Sequence, residues 1–155
     1  MRRGLSTLLA VSVLFLLAAA TTPAQKPAGD YITIQDMEKV TGLTGLKVAP
    51  SDPSKGAGGD HNFADSAGNL VLMTQKMSGR TMYEGNKKMK SYVKGPVPGV
   101  GDEAFNGPPG DYPYFLFFLK GDTSVSLATY FGKGGKTRIS MEKLIELAKL
   151  IASRI

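Results

Sequence analysis

The chain has no cysteine and only one histidine among its 155 residues. The lack of cysteine excludes disulfides, thiolate metal sites, a cysteine nucleophile and a lipid-bearing cysteine. With His61 alone, a metal centre of several imidazoles is excluded, and a Ser-His-Asp arrangement requires His61 itself. The sequence also lacks a Gly-x-Ser-x-Gly nucleophile motif and an Asn-x-Ser/Thr acceptor for glycosylation. We therefore expect no metal and no cofactor.

Strong charge of one sign is also missing. The formal net charge is +6, and without Arg2 and Arg3 it is +4, from 17 basic and 13 acidic residues. Apart from Lys87, Lys88 and Lys90, the lysines are scattered among acidic residues, so the sequence contains no basic stripe that could follow a phosphate backbone. We expect no nucleic-acid partner.

The N-terminus carries the clearest sorting signal. Arg2 and Arg3 precede an apolar run over residues 5–20 that ends in three alanines, which is typical of a secretory signal peptide. A membrane-spanning helix needs about 20 apolar residues, so we expect cleavage after Ala20 or Ala24 and no stable membrane anchor. The predicted organisation is a signal peptide at 1–20, a flexible leader at 21–30 and a single α+β domain at 31–155. An exported chain without disulfides or glycosylation acceptors indicates a bacterial periplasmic or secreted protein.

Three helices are predicted from apolar spacing and capping residues. Thr33 caps a short helix that ends at Gly42, and Ser78 caps a second helix that reaches about residue 92. The third helix spans 140–155, where apolar residues gather on one side and Ser140 is the cap.

Strands are predicted at 46–49, 61–65, 69–77 and 103–105, with a loop at 50–59. The clearest hairpin joins 112–120 to 123–131 through Gly121-Asp122, a two-residue link that matches strand twist. Residues 114–119 are apolar on both faces, which predicts a central strand covered above and below. The fold class expected is α+β: a mainly antiparallel sheet built from hairpins, with helices packed on it.

The run Gly132-Lys133-Gly134-Gly135-Lys136-Thr137 imitates the end of a phosphate-binding P-loop. The imitation fails because Tyr130 stands where the motif needs glycine, and because the next helix begins near Ser140, several residues too late. We interpret the run as a connecting loop that carries lysines.

Two alternative chemistries stay open. His61 and Asp65 fall on one face of a strand and could serve an envelope hydrolase, although a solvated histidine on an edge strand is the simpler interpretation. Met73, Met77, Met82 and Met89 could carry cuprous copper, although packing of the second helix on the sheet explains them more simply.

The most distinctive string is residues 97–105, Val-Pro-Gly-Val-Gly-Asp-Glu-Ala-Phe. Its glycines and proline predict a specified turn whose acidic residue caps backbone amides, and the adjacent Asp102 and Glu103 should point to opposite sides. With the Phe-Leu-Lys-Gly-Asp of 118–122 and the terminal amphipathic helix, this string resembles bacterial secreted proteins and lipoproteins of unknown function that carry a Gly-x-Gly-Asp-Glu-Ala segment. Some of those look like the PsbP-type α/β/α sandwich. The resemblance implies that fold and export, and it supplies no catalytic residues.

The function expected is a non-catalytic binding or interaction domain of the bacterial cell envelope. The aromatic strand supplies the candidate ligand-binding residues Tyr112, Tyr114 and Phe117, which could line an apolar surface. The expected partner is an unidentified envelope protein or a small apolar ligand.

Overall fold

The computed structural model describes residues 31–155, except 53 and 55–58. The predicted signal peptide, the leader and half of the predicted 50–59 loop lie outside the described residues. The described chain contains three α-helices and a sheet of seven strands, so the predicted α+β class is confirmed. None of the described helices has the length and apolar character needed to cross a membrane.

The helices and strands follow the chain in the order α1 (Ile34–Thr41), β1 (Lys47–Ala49), β2 (His61–Ala64), β3 (Leu70–Ser78), α2 (Arg80–Lys88), β4 (Gly95–Pro96), β5 (Glu103–Asn106), β6 (Phe115–Lys120), β7 (Thr123–Thr129) and α3 (Met141–Ala152).

The sheet is antiparallel throughout and consists of two meanders that meet in the middle. Its strand order is β1-β2-β3-β7-β6-β5-β4, so the N-terminal meander β1-β2-β3 joins the C-terminal meander through the pairing of β3 with β7. That pairing is seven residues long, from Leu72 opposite Thr129 to Ser78 opposite Thr123. It makes one continuous sheet from segments that are distant in sequence.

Helices cover both faces of this sheet. α1 and α3 pack on one face over the main core, which includes the fully buried Leu116, Leu127, Leu144 and Leu147. α2 packs on the other face over a smaller second cluster, formed by Tyr83, Phe105, Phe117 and Leu119. The four central residues of β6 are all buried, which confirms the prediction of a strand covered above and below.

The predicted caps of the first and third helices are confirmed. The Thr33 hydroxyl accepts from the Asp36 amide while the Asp36 carboxylate accepts from the Thr33 amide, and Gly42 ends α1 with φ +73°. Ser140 caps α3 by accepting from the Lys143 amide. α2 differs from the prediction: it begins after Gly79, which makes no side-chain cap, and ends at Lys88, so that residues 90–92 form a separate 3₁₀ turn.

The segment 97–105 is a specified turn, as predicted. Gly101 has φ +56°, and a Cβ there would lie 2.3 Å from the Leu119 carbonyl oxygen, so only glycine fits. Asp102 accepts from the Gly121 amide at 2.7 Å and from the Lys120 ammonium at 3.1 Å, which holds the β6–β7 turn. Glu103 pairs instead with Lys87 of α2, so the two acidic residues bind different elements of the fold.

The β6–β7 hairpin is shorter than predicted at its open end. β6 begins at Phe115 instead of Tyr112, because Pro113 has no amide to donate to a ladder. β7 ends at Thr129, although the Tyr130 amide still donates to the Val71 carbonyl of β3, one step beyond the last paired residues Leu72 and Thr129.

Candidate functional site

An aromatic cleft lies where the turn after α2 meets the loop before β6. Its volume is about 240 Å³, and it is lined by Ser91, Tyr92, Gly107, Pro108, Pro109, Gly110, Asp111, Tyr112 and Phe115. Asp111 is the one charged residue of this lining. The cleft is therefore a mainly apolar recess whose lining includes two tyrosines, Tyr92 and Tyr112.

Backbone hydrogen bonds fix the two walls. The Lys94 amide donates to the Asn106 carbonyl at 2.7 Å, which places Tyr92 beside the end of β5. The Gly107 amide donates to the Phe115 carbonyl at 3.0 Å and extends the β5–β6 ladder into the loop. A Cβ at Gly107 would lie 3.1 Å from the Phe115 ring and 3.2 Å from the Tyr92 carbonyl oxygen, so glycine lets the two walls approach closely here.

The aromatic rings that line the cleft pack against the rings of the second cluster. The rings of Tyr92 and Phe115 meet edge to face, with centroids 6.5 Å apart, and Phe115 lies 6.2 Å from Phe117. Phe117 in turn contacts the ring of Tyr83 beneath α2 at 5.4 Å. Tyr92 itself is 47% exposed, so it offers surface to a ligand while its ring packs against Phe115.

Tyr112 forms the other side and is held by a second ring. Its ring meets that of Tyr130 edge to face at 5.5 Å. Burial, with a smaller contribution from Tyr112, raises the pKa of Tyr130 to about 12, so the Tyr130 hydroxyl stays protonated at neutral pH. Tyr130 therefore adds no charge beside the cleft.

The three predicted binding residues do not form one surface, which corrects that prediction. Tyr112 lines the cleft, but Tyr114 packs against the main core and Phe117 is fully buried in the second cluster. The physical reason is alternation: Tyr114 and Phe117 project from opposite faces of the strand, and α2 covers the face that carries Phe117.

Sequence reasoning missed Tyr92, Phe115 and the loop between β5 and β6. The run Pro108-Pro109-Gly110, two residues before Tyr112, was an available signal. Such a run cannot be part of a central strand, so the residues next to it are not covered by strand pairing. Tyr92 was predicted inside the second helix, and the early end of α2 is what frees it.

His61 and Asp65 are engaged separately. His61 lies on β2, which pairs with strands on both sides, so the prediction of an edge strand was wrong. Its ring is half-buried between Tyr31, 6.2 Å away, and Phe63, 6.3 Å away. Asp65 accepts from Asn69 and from Arg138, and these hydrogen bonds lower its pKa to about 2. The Asp65 carboxylate is therefore already held by Asn69 and Arg138, which does not favour its use with His61 in hydrolysis.

The methionines are divided between the interior and the surface. Met73 is buried on the sheet, but Met82 on α2 and Met89 just beyond it are 48% and 44% exposed, so their predicted packing on the sheet was wrong. Tyr83 occupies the sheet-facing position of α2 instead. This separation does not favour a site of converging thioethers. Among the described residues, no group of three or more His, Asp or Glu side chains could hold a metal ion.

Comparisons of this chain with protein-family models, with curated proteins and with solved structures found no match.

Proposed function

We propose that this chain is an exported, non-catalytic binding module of the bacterial cell envelope, and that its aromatic cleft receives one apolar side chain or ring of a partner protein. The observation that carries this proposal is the half-exposed Tyr92 ring set against Phe115 in a recess with a single charged lining residue. Exposed aromatic rings on rigid supports are typical anchors of protein interfaces.

The size of the cleft favours a partner's side chain over a free small molecule. Sites for small molecules usually have about 300–1,000 Å³, and this cleft has about 240 Å³. Of the apolar side chains, tryptophan comes nearest to filling a recess of about 240 Å³, and the remaining affinity would come from contacts around the rim. The exposed Asp111 and the Pro108-Pro109 run provide such a rim.

The test uses capped amino acids as probes on the protein produced from its full sequence. We expect N-acetyl-tryptophanamide to give saturable NMR shifts at Tyr92, Gly107 and Phe115 with a dissociation constant of about 1 mM, and N-acetyl-aspartamide to give none. Tyr92→Ala and Tyr112→Ala should abolish saturation. Val48→Ala, which removes an equally exposed apolar side chain on β1, should not.

Shifts that do not saturate, or that persist in Tyr92→Ala, would contradict binding in the cleft. A free small molecule that binds there far more tightly than any capped amino acid would replace the side-chain assignment.

The export part of the proposal is tested separately. The support is the N-terminal pattern of Arg2 and Arg3 followed by the apolar run at 5–20. N-terminal sequencing of the protein from its native cells should find a start at residue 21 or 25 in the envelope or medium fraction. Recovery from the cytosol with Met1 or Arg2 at its start would overturn it.

A further inference from the structure

We propose a second binding site, for small molecules that carry a phosphate or similar oxyanion beside an apolar ring, in a basic cavity between the β2–β3 turn and the loop after β7. The cavity has a volume of about 470 Å³, within the usual range for small-molecule sites. Its lining combines Lys133, Lys136 and Arg138 with the apolar Phe131 and Leu70.

The charge of this cavity is positive and uncompensated. Asp65 is the one carboxylate of the lining, and it already accepts from Arg138 and Asn69. In the part of the chain that the structure describes, no carboxylate lies within ion-pair distance of Lys133 or Lys136. These two ammonium groups are therefore available to an anion, and a phosphate is the kind of anion that lysine binds as a point charge.

The loop that carries the lysines is closed by its own hydrogen bonds. Phe131 and Thr137 form a β-bridge, and the Gly132 amide donates to the Lys136 carbonyl at 2.8 Å. The Thr137 hydroxyl donates to the Ile139 carbonyl at 2.9 Å and ties the loop to the buried Ile139. Lys133 and Lys136 thus project from a short, anchored turn, which reduces the entropy lost when an anion is bound.

Phe131 supplies the apolar surface that the ring of the ligand would contact. It is 50% exposed although it is only the second residue after β7, and it lines the same cavity as the two lysines. An exposed ring beside paired positive charges recognises a ligand with an apolar ring next to its anionic group. Inorganic phosphate alone would use only half of these contacts.

The site works differently from a P-loop. Thr137 precedes α3 by several residues, so the helix amides of α3 are not directed at the loop. Side-chain ammonium groups would hold the anion, in agreement with the interpretation of 132–137 as a lysine-bearing loop.

The experiment measures binding of phenyl phosphate and of inorganic phosphate by NMR titration. We expect phenyl phosphate to shift the amides of 131–138 saturably and to bind about tenfold more tightly than inorganic phosphate. Phe131→Ala should remove that advantage. The double variant Lys133→Ala/Lys136→Ala should weaken both ligands by about tenfold or more.

The matched control is Lys39→Ala/Lys94→Ala, which removes the same charge from exposed positions outside the cavity lining. Equal weakening by the control pair would show nonspecific attraction and overturn the proposal, as would the absence of saturable shifts. Competition by vesicles of phosphatidylglycerol would assign the natural phosphate to a lipid headgroup, and its absence would assign it to a soluble molecule. All substituted side chains are exposed, so the thermal midpoints should stay close to that of the unaltered chain.

Discussion

At the scale of single residues, Tyr83 is the side chain on which the packing of α2 depends. It is the buried residue of that helix, and its ring contacts both Phe105 and Phe117 at about 5.5 Å. We expect Tyr83→Ala to lower the free energy of unfolding by about 3–5 kcal/mol, because it removes an aromatic side chain and leaves a cavity. Urea denaturation monitored by circular dichroism measures this change.

Met82 is the control for that experiment. It is the neighbouring residue on α2 and is 48% exposed, so Met82→Ala should change the free energy of unfolding by no more than about 0.5 kcal/mol. A larger effect at Met82 than at Tyr83 would restore the interpretation of the methionines as the packing residues.

Asp36 links stability to pH. Its carboxylate accepts hydrogen bonds from Arg154, which lies just beyond the end of α3, and from the amide and hydroxyl of Thr33. The Arg154 guanidinium, with help from Thr33, holds the pKa of Asp36 well below its ordinary value of 3.8. A lowered folded pKa means that the stabilisation is complete above pH 3.8 and is lost as the pH falls through the folded pKa.

We therefore expect the thermal midpoint to fall on acidification below about pH 4, and Asp36→Asn to reduce the slope of that fall. Thermal melts between pH 2 and pH 7 measure both. Glu146→Gln is the control, since its exposed pair with Lys143 within one helix contributes little. An unchanged slope in Asp36→Asn would show that the pair with Arg154 does not form in solution.

The site residues show that the sequence predicts the face of a strand on which a side chain lies better than it predicts which side chains border an open cleft. The alternation along β6 separates residues correctly, but it does not show which face a helix will cover or where that cover stops. Phe117 and Phe115 point the same way, yet α2 buries the first, and the turn after it leaves the second at a cleft. That difference depends on the length of α2, which no pattern within β6 contains.

Among the helices and strands, the sequence predicts the features that depend on residues close together in the chain. The capping box of α1, its terminal Gly42 and the serine cap of α3 were all predictable because each involves residues three or four apart. The strand ends were not, because the end of a ladder depends on a partner strand from another part of the sequence: the Tyr130 amide still donates to the Val71 carbonyl of β3 beyond the last residue of β7. Position 79 has no such cap, and α2 is the helix whose bounds the sequence predicts least well.

The turn before β5 gives a matched pair of glycine substitutions. Gly99 and Gly101 both have positive φ, but a Cβ at Gly99 meets only the flexible Lys149 side chain at 3.7 Å, whereas one at Gly101 would overlap the Leu119 carbonyl. Gly99→Ala should cost about 1 kcal/mol from backbone strain alone. Gly101→Ala should cost at least about 2 kcal/mol more, because the β5–β6 backbone must move.

Urea denaturation of the two variants compares these costs directly. Equal destabilisation would mean that the turn relaxes without disturbing β6, and that the approach of Gly101 to Leu119 does not constrain the fold.

At the scale of the whole molecule, the pairing of β3 with β7 is the step that sequence reasoning could not supply. The two strands are separated by α2 and the entire β4–β6 segment, and periodicity within each strand says nothing about its neighbour. The resemblance to PsbP-type proteins stays a prediction, since it depends on the same long-range arrangement.

The shared sheet predicts that the two hydrophobic clusters unfold together. β6 supplies residues to both clusters and pairs with β7, which carries part of the main core, so losing the α2 side exposes strands that the main core also needs. We expect methyl signals of Leu119 in the second cluster and Leu144 in the main core to disappear at the same urea concentration. Tyr83→Ala should move both midpoints down together. If Leu119 loses its native signal while Leu144 keeps it, α2 and its cluster form a separate unit, and the aromatic cleft that continues from that cluster would open without global unfolding.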